Sequence, residues 1–422
     1  MKTVPFWVDD FPRPEGLPSD LPTETEYLVI GSGLTGLTCA LRLAGAGREV
    51  TVIDAGEIAG GASSMNGGMV SPDVKAGMRA VMTSFGPEVA SQVWASTVRA
   101  TELVRELARR FDALVSEAGL AALGTGERHL KVFAEMARWY GEQFGTEWEV
   151  LEPARVGEVV GGDHFRAAMF EPEGFGVQPA KLAFGLAEAA KAAGAVLVDQ
   201  CEATDMEETS HGSSVVTTRG EIRAGTVVVA TNGYTTHRPS PTLAQKVVSI
   251  GSYIIVTEPL GAERAGRIFP TGAMAYTKRR LLNYMRRTPD DRILLGGRRN
   301  LHPDLDLRRS ADDLRRQLLA YWPEVEDVEI THVWGGRLGV TFDLLPHIGR
   351  VEEGWYALGY GGHGVALSVG LGHELAGMLL GEDPPSIFSR IPHPRRFYYR
   401  GGKAWFLTPA SVLYRILDRV GM

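Results

Sequence analysis

The chain has 422 residues, 44% apolar and 23% charged, with a formal net charge of −7. That length supports a large core and two domains. The acidic balance excludes general nucleic-acid binding, and two cysteines, Cys39 and Cys201, exclude a disulfide framework or a cysteine-rich metal site.

Residues 1–22, with five prolines, read as an extended arm. They lack the basic start and apolar core of a signal peptide, and no apolar run approaches the ~18 residues of a membrane span, so a cytoplasmic protein is expected. Next comes the densest signal in the chain. An apolar strand, Glu26-Tyr-Leu-Val-Ile30, runs into Gly31-Ser32-Gly33-Leu34-Thr35-Gly36, then a helical run, then Val50-Thr-Val-Ile-Asp54. This order is the βαβ dinucleotide fingerprint. Gly31 permits the tight turn, Gly33 lets the backbone approach a pyrophosphate, and Gly36 lets helix and strand pack closely. The helix N-terminus offers free N–H groups and positive partial charge. Asp54, about 20 residues on, is placed to accept from a ribose 2′-OH. Cys39 falls inside this helix, where a small buried residue fits.

Residues 60–70 form a loop of small and polar residues, too glycine-rich for a helix. Apolar residues at Val93, Val98, Leu103, Leu107 and Phe111 predict a helix over 86–118. A second helix is expected over 179–193, with proline near its start. Strands are expected at 196–198, 215–218, 227–230, 249–257 and 292–295, a helix at 310–321, and late strands at 330–338 and 355–358. Gly359-Tyr-Gly361-Gly362-His363-Gly364 repeats the glycine pattern and precedes a helical run over 365–380. No strand ending in an acid follows it, so it is a different glycine turn. Arginine pairs recur at Arg279-Arg280, Arg286-Arg287, Arg298-Arg299, Arg308-Arg309 and Arg395-Arg396; mixed with acids, they read as solvated faces. The last helix spans 411–420, with Val412, Leu413, Ile416, Leu417 and Val420 on one face and Arg415, Asp418 and Arg419 off it. That face is expected to pack on the chain's own body or a twin subunit, or else to meet a membrane surface or a partner.

Five motifs in this order resemble the FAD-dependent amine oxidoreductases of the D-amino acid oxidase, glycine oxidase and sarcosine oxidase superfamily. They are the fingerprint, the loop at 60–70, Val227-Val-Val-Ala-Thr231-Asn232-Gly233, the segment from Trp334-Gly-Gly336-Arg337 to Asp343-Leu-Leu-Pro346-His-Ile-Gly349, and the turn at 359–364. Ser64-Met65-Asn66-Gly67-Gly68 resembles the γ-glutamylputrescine oxidase branch. The resemblance covers roughly residues 26–381. It implies an α/β fold: a Rossmann-like FAD-binding domain built from 23–85, 155–235 and 325–390, with an inserted α+β substrate domain, 86–154 and 236–324, carrying an antiparallel sheet. Residues 391–422 would be a tail and helix.

The resemblance further implies FAD contacts from Gly31, Ser32, Gly33, Leu34, Thr35, Gly36, Asp54 and Ala55. Ala62, Ser63, Ser64, Met65, Asn66, Gly67, Gly68 and Met69 would follow from the flavin loop. Ala203, Thr231, Asn232, Gly233, Gly336, Gly361, Gly362, His363, Gly364 and Val365 would complete the set. No cysteine lies near either flavin loop, and Ser63 and Ser64 stand where a covalent histidine partner would be, so non-covalent FAD is expected. A helix beginning at Gly364 would aim its positive end at the charge on a reduced flavin. His363 is the one catalytic candidate, as a donor to the flavin or a border of the substrate; the other reading is a histidine satisfied by backbone.

The chain departs from the sarcosine oxidase branch at its substrate contacts. Gly68 or Met69 stands where that branch has a carboxylate-binding arginine, Ala366 where it has a lysine, and Leu294 where it has a lysine above the flavin. A substrate whose reacting amine lies away from a carboxylate is therefore expected: a primary or secondary amine such as a polyamine derivative or alkylamine. Tyr253, Lys278, Tyr284 and Arg298 are candidates to touch it. The expected reaction is oxidation of the C–N bond to an imine by hydride transfer to flavin N5, then hydrolysis to an aldehyde or ketone. Reoxidation would be by O2, giving hydrogen peroxide, or by another acceptor. The competing readings are an α-amino-acid oxidase or dehydrogenase of the same fold and an NAD(P)-dependent dehydrogenase.

Overall fold

The computed structural model describes residues 1–210, 212–298, 301–351 and 354–419. Its first sheet is organised around Glu24–Ile30. Leu28, Val29 and Ile30 are all buried, as a strand covered on both faces requires. It pairs in parallel with Val50–Ile53 on one side and with Gly220–Val229 on the other. Val196–Val198 extends the sheet beyond Val50–Ile53. Ala203–Thr209 and Gly212–Thr217 form an antiparallel meander against Gly220–Val229, and Gly354–Leu358 with its hairpin partner His347–Val351 adds to the far end of that strand.

Helices Leu34–Gly45, Met78–Arg110, Pro179–Ala192 and Gly364–Leu380 contribute to the main core. Gly364–Leu380 packs against both Leu34–Gly45 and Met78–Arg110. The approach is close: a Cβ on Gly372 would stand 2.4 Å from the Thr35 carbonyl oxygen. Met78–Arg110 is two helices joined at a kink, where Gly86 has a φ of 86° and Pro87 follows. No helix among the described residues is long and apolar enough to cross a membrane.

The second sheet runs Ile330–Thr341, Val247–Thr257, Ile293–Gly297, Tyr284–Arg287, Met274–Thr277, Leu120–Gly124, Ala167–Glu171, Glu149–Leu151. All its pairings are antiparallel except Met274–Thr277 with Leu120–Gly124. Helix Leu307–Tyr321 buries Ala311, Leu314 and Leu318 in this sheet's own core. The fold is thus α/β with a second, mainly antiparallel sheet.

Several segments depart from the sequence reading. Residues 1–22 are not simply extended. Phe6–Asp10 forms a helical turn, and Trp7 is fully buried in the main core, where its indole N–H is satisfied by the Asn66 carbonyl at 2.9 Å. Ala62–Met65 is one helical turn and Met69–Val70 a short strand, inside what reads as loop. The helix expected to run to 118 stops at Arg110, and Leu114–Ser116 is a strand. Ala167–Glu171 and Ile330–Thr341, expected with the nucleotide unit, are hydrogen-bonded into the second sheet. Much of Met78–Arg110, expected with the inserted unit, packs in the core beside the nucleotide helices. Helix Glu127–Phe144 had no counterpart in the sequence reading.

Candidate active site

One cavity of about 1690 Å³ runs from the first glycine turn to the underside of the second sheet. At one end the dinucleotide cradle is set by backbone. Gly31 has a φ of 107°, and a Cβ on it would lie 2.9 Å from the Ala230 carbonyl oxygen. A Cβ on Gly36 would lie 1.9 Å from the Gly31 carbonyl oxygen, so only glycine lets this turn close. Helix Leu34–Gly45 begins without a side-chain cap at Gly33, and Leu34 N–H donates to Ser63 Oγ at 2.9 Å. Asp54 accepts from Ser32 N–H (2.7 Å), the Ser32 hydroxyl (2.6 Å) and Gly56 N–H (2.9 Å). It still lines the cavity, and Oδ1, with one partner against two on Oδ2, retains acceptor capacity.

The middle of the cavity is held by polar ties between distant segments. Asn66 accepts from Gly68 N–H at 2.8 Å and donates to the Ala62 and Ser63 carbonyls. Trp334 donates to the Met65 carbonyl at 2.7 Å. Asn232 accepts from Gly359 N–H at 3.0 Å, and the Thr35 hydroxyl bonds that of Tyr360 at 2.7 Å. Gly361 and Gly362 both have positive φ and lead into the N-terminus of Gly364–Leu380.

Every expected FAD contact lines the cavity except Ser32, Gly36, Ser64 and Gly233. These four sit just behind it. Ser32 and Ser64 are fully buried and bond Asp54 and the Ala59 carbonyl, while Gly233 leaves no room for a Cβ against Leu338. Glycine turn, open helix start, acid-terminated strand and the second glycine-led helix end fit a bound dinucleotide. The residues present therefore fit FAD.

The far end of the cavity is a chamber of ionisable groups. Lys278, Tyr284 and Arg298 line it as expected. Tyr253 does not: its hydroxyl accepts from Leu305 N–H at 2.7 Å and donates to the Pro303 carbonyl, on the other side of the sheet. Leu294 is fully buried in the main core and does not line the cavity; two lysines, Lys75 and Lys278, line the chamber. The arginine pairs are not all solvated. Arg286 is 1% exposed and Arg298 faces the cavity, while Arg299 lies outside the described residues.

Sequence reasoning missed Asp73, Lys75, Tyr140, Glu171 and Tyr276. The available signal was charge where none is needed: Asp73 and Lys75 directly after the glycine-rich loop, and Glu171 ending an apolar strand. Glu171 accepts from the Tyr276 hydroxyl at 2.9 Å, and burial pushes its carboxyl up to about 8. Burial pushes Asp73 up to about 6. Lys75 is pulled down to about 8 by burial, then by the charges of Arg298 and Lys278. Lys278 is lowered by burial, against the pull of Asp73 and Glu171. Burial, with Lys75 and Lys278, drives His363 down to about 3, so its ring is neutral and its sealed Nδ1 has no partner.

The C-terminal helix Leu407–Arg419 packs the opposite way from its expected face. Leu407 and Ser411 are buried, and Asp418 accepts from the N–H groups of Arg280 (2.8 Å) and Leu281 (3.0 Å) at the chamber rim. Val412, Leu413 and Ile416 are exposed; Val420 lies outside the described residues.

Comparison with known proteins gives the family. Residues 26–378 match the DAO family, FAD dependent oxidoreductase. The chain is 28% identical over 409 residues to a gamma-glutamylputrescine oxidoreductase of Escherichia coli (strain K12), covering 94% of this chain and 93% of that one. It is 31% identical over 380 residues to a probable oxidoreductase OrdL of Rhizobium meliloti (strain 1021), covering 85% and 84%. In fold it is similar to the crystal structure of glycine oxidase from Geobacillus kaustophilus, with a TM-score of 0.74, 23% identity, and coverage of 88% of this chain and all of that one. The chain is an enzyme of the FAD-dependent oxidoreductase (DAO) family.

Proposed function

We propose that this enzyme oxidises a primary or secondary amine whose reacting C–N bond does not adjoin a carboxylate, giving an imine that water hydrolyses to a carbonyl compound and a smaller amine. One observation carries the reading. The cavity that begins at the dinucleotide turn continues into a chamber where acids and cations flank a neutral histidine. Bound FAD supplies the two-electron acceptor for the C–H bond that is broken.

The chain's own residues have three tasks. Asp73, ionised above about 6, supplies negative potential that draws in an ammonium group, while Glu171, held protonated below about 8, adds a neutral polar wall. Lys75 and Lys278, nearer His363, oppose that charge and favour the neutral amine, the form whose C–H bond can be oxidised. His363 lines the chamber, and its Nε2, rather than the sealed Nδ1, is the ring atom placed to accept the amine N–H and orient it. No general base is required of a histidine held near 3. Gly68, Met69 and Ala366 offer no charged side chain for an α-carboxylate. Similarity to a gamma-glutamylputrescine oxidoreductase supports an amine of that kind. With no cysteine or histidine at residues 60–70, FAD is held without a covalent bond. The terminal acceptor is O2 or another oxidant.

Anaerobic titration of the purified yellow protein with a panel of amines and amino acids tests this. Bleaching by alkylamines or polyamine derivatives is expected, with no response to glycine or sarcosine. Bleaching by α-amino acids alone would replace the reading with amino-acid oxidation. Admitting air to the bleached sample then reports whether O2 is the acceptor.

A further inference from the structure

Two cations stand together in the substrate chamber, and one has no acid acting on it. Arg298 follows the strand Ile293–Gly297 into the cavity. Among the described residues its guanidinium has neither an ion pair nor a hydrogen bond, and its Nε is sealed from solvent. Lys75, across the chamber floor beside Gly361, also lacks both, and Arg298 is the nearest charge by effect on it. Asp73 offsets only part of that repulsion. The Tyr284 hydroxyl, 3.1 Å from Ser252 Oγ, lies in the field of Arg298.

Arg286 shows what a buried arginine with a structural role looks like in this protein. Its Nη1 donates to three carbonyls and its guanidinium stacks over Trp7. Arg286 too leaves Nε and Nη2 without a partner, but Arg298 lacks even the carbonyl bonds that hold Arg286 Nη1. A partly buried guanidinium with a sealed Nε, beside a second cation, is costly unless an anion completes the group.

We propose that Arg298 and Lys75, with the Tyr284 hydroxyl, form a carboxylate subsite that holds an acidic group on the substrate remote from its reacting amine. The arginine fork matches a carboxylate, Lys75 adds a point charge, and the phenol adds a neutral donor. The positions that would clamp an α-carboxylate are Gly68, Met69 and Ala366, so the acid belongs further along the substrate. The substrate class is then an ω-amino acid or an amine carrying a distal carboxylate. This inference rests on the amine-oxidation reading.

The probe is butanoate, a carboxylate without an amine, titrated calorimetrically into the holoenzyme. The wild type is expected to bind it, and Arg298→Gln and Lys75→Met to weaken binding by about tenfold or more each, as loss of a charge-assisted hydrogen bond implies. Arg298→Lys should fall between. In anaerobic flavin reduction, 5-aminopentanoate should have a lower Kd than pentylamine in the wild type, and the preference should vanish in Arg298→Gln. Flavin absorbance of each variant reports folding, and Lys75→Met stands as the second variant if Arg298→Gln does not fold. A wild type that ignores butanoate, or variants that bind it equally well, would overturn the subsite. So would variants that shift the flavin potential while butanoate binding is unchanged, which would assign the cations to the cofactor. Butanoate binding is read without turnover. If it is present and depends on Arg298 while no amine bleaches the flavin, the subsite stands and the amine reading fails.

Discussion

Arg286 Nη1 donates to the Gly68 carbonyl at 3.1 Å from a side chain that is 1% exposed. The same nitrogen reaches the carbonyls of Gly67 and Val177, and Trp7 packs over the guanidinium. One arginine on the second sheet thus ties the glycine-rich loop to the N-terminal helical turn. A Cβ on Gly68 would stand 2.7 Å from that guanidinium, so loop and arginine are fitted to one another.

Replacing this tie exposes its worth. Arg286→Met removes the donor shared by the Gly67, Gly68 and Val177 carbonyls, of which Gly68 keeps the Val177 N–H at 2.8 Å, and opens the packing against Trp7, which should cost about 2–4 kcal/mol of stability. Arg286→Lys keeps a charge but not the fork and should lose less. Urea unfolding of the two variants measures the difference, and FAD content should fall in the same order.

Gly36→Ala should yield a protein without flavin colour. Its Cβ would overlap the Gly31 carbonyl oxygen, and the turn that closes on the dinucleotide would have to open. Gly45→Ala, in the same helix, meets nothing within 4 Å and should retain FAD, with a helix gain of up to about 1 kcal/mol. Absorbance of the purified variants decides; a yellow Gly36→Ala protein would contradict the close-packing argument.

Glu171 makes stability pH-dependent. Burial, with some help from Asp73, raises its carboxyl to about 8 from an unfolded value near 4.5. Between those values the folded state binds the extra proton, so its contribution to stability is full below about 4.5 and is lost as pH rises through 8. Glu171→Gln mimics the protonated acid. It should match the wild type at pH 5 and melt at a higher temperature than the wild type at pH 9. Equal shifts at both values would mean that Glu171 is ionised throughout.

Asp418→Ala should loosen the chamber rim. Its carboxylate receives the N–H groups of Arg280 and Leu281, and without it both must find water. We expect a higher KM with kcat less affected, and a stability loss of about 1–2 kcal/mol, of the size of charge-assisted hydrogen bonds at a partly exposed site. Steady-state kinetics with whichever amine bleaches the flavin provides the check.

The nucleotide unit was legible in the chain because its logic is local. Strand, turn, helix and acid lie within about 30 residues, and each glycine answers a backbone constraint that neighbours in sequence impose. The second glycine turn, the late strands and most helices follow from the same short-range periodicity. Helix Glu127–Phe144 was legible too: Leu130, Phe133, Ala137, Tyr140 and Phe144 keep one face, though the reading passed over them.

The sequence by itself determined the family, the cradle and the kind of chemistry. Only the tertiary structure decided which ionisable groups share the chamber. Lys75 and Arg298 are separated by more than half the chain, as are Tyr253 and the Trp7 that packs on Arg286. Tyr253 lies across the sheet from the chamber and Leu294 fills the main core without lining it, because strand alternation does not say which cavity a face meets. Charge, likewise, reads as solvated until burial is known. The same arginine type serves as a brace at Arg286 and as an unpaired cation at Arg298, and the difference lies in which carbonyls the fold brings within 3.5 Å.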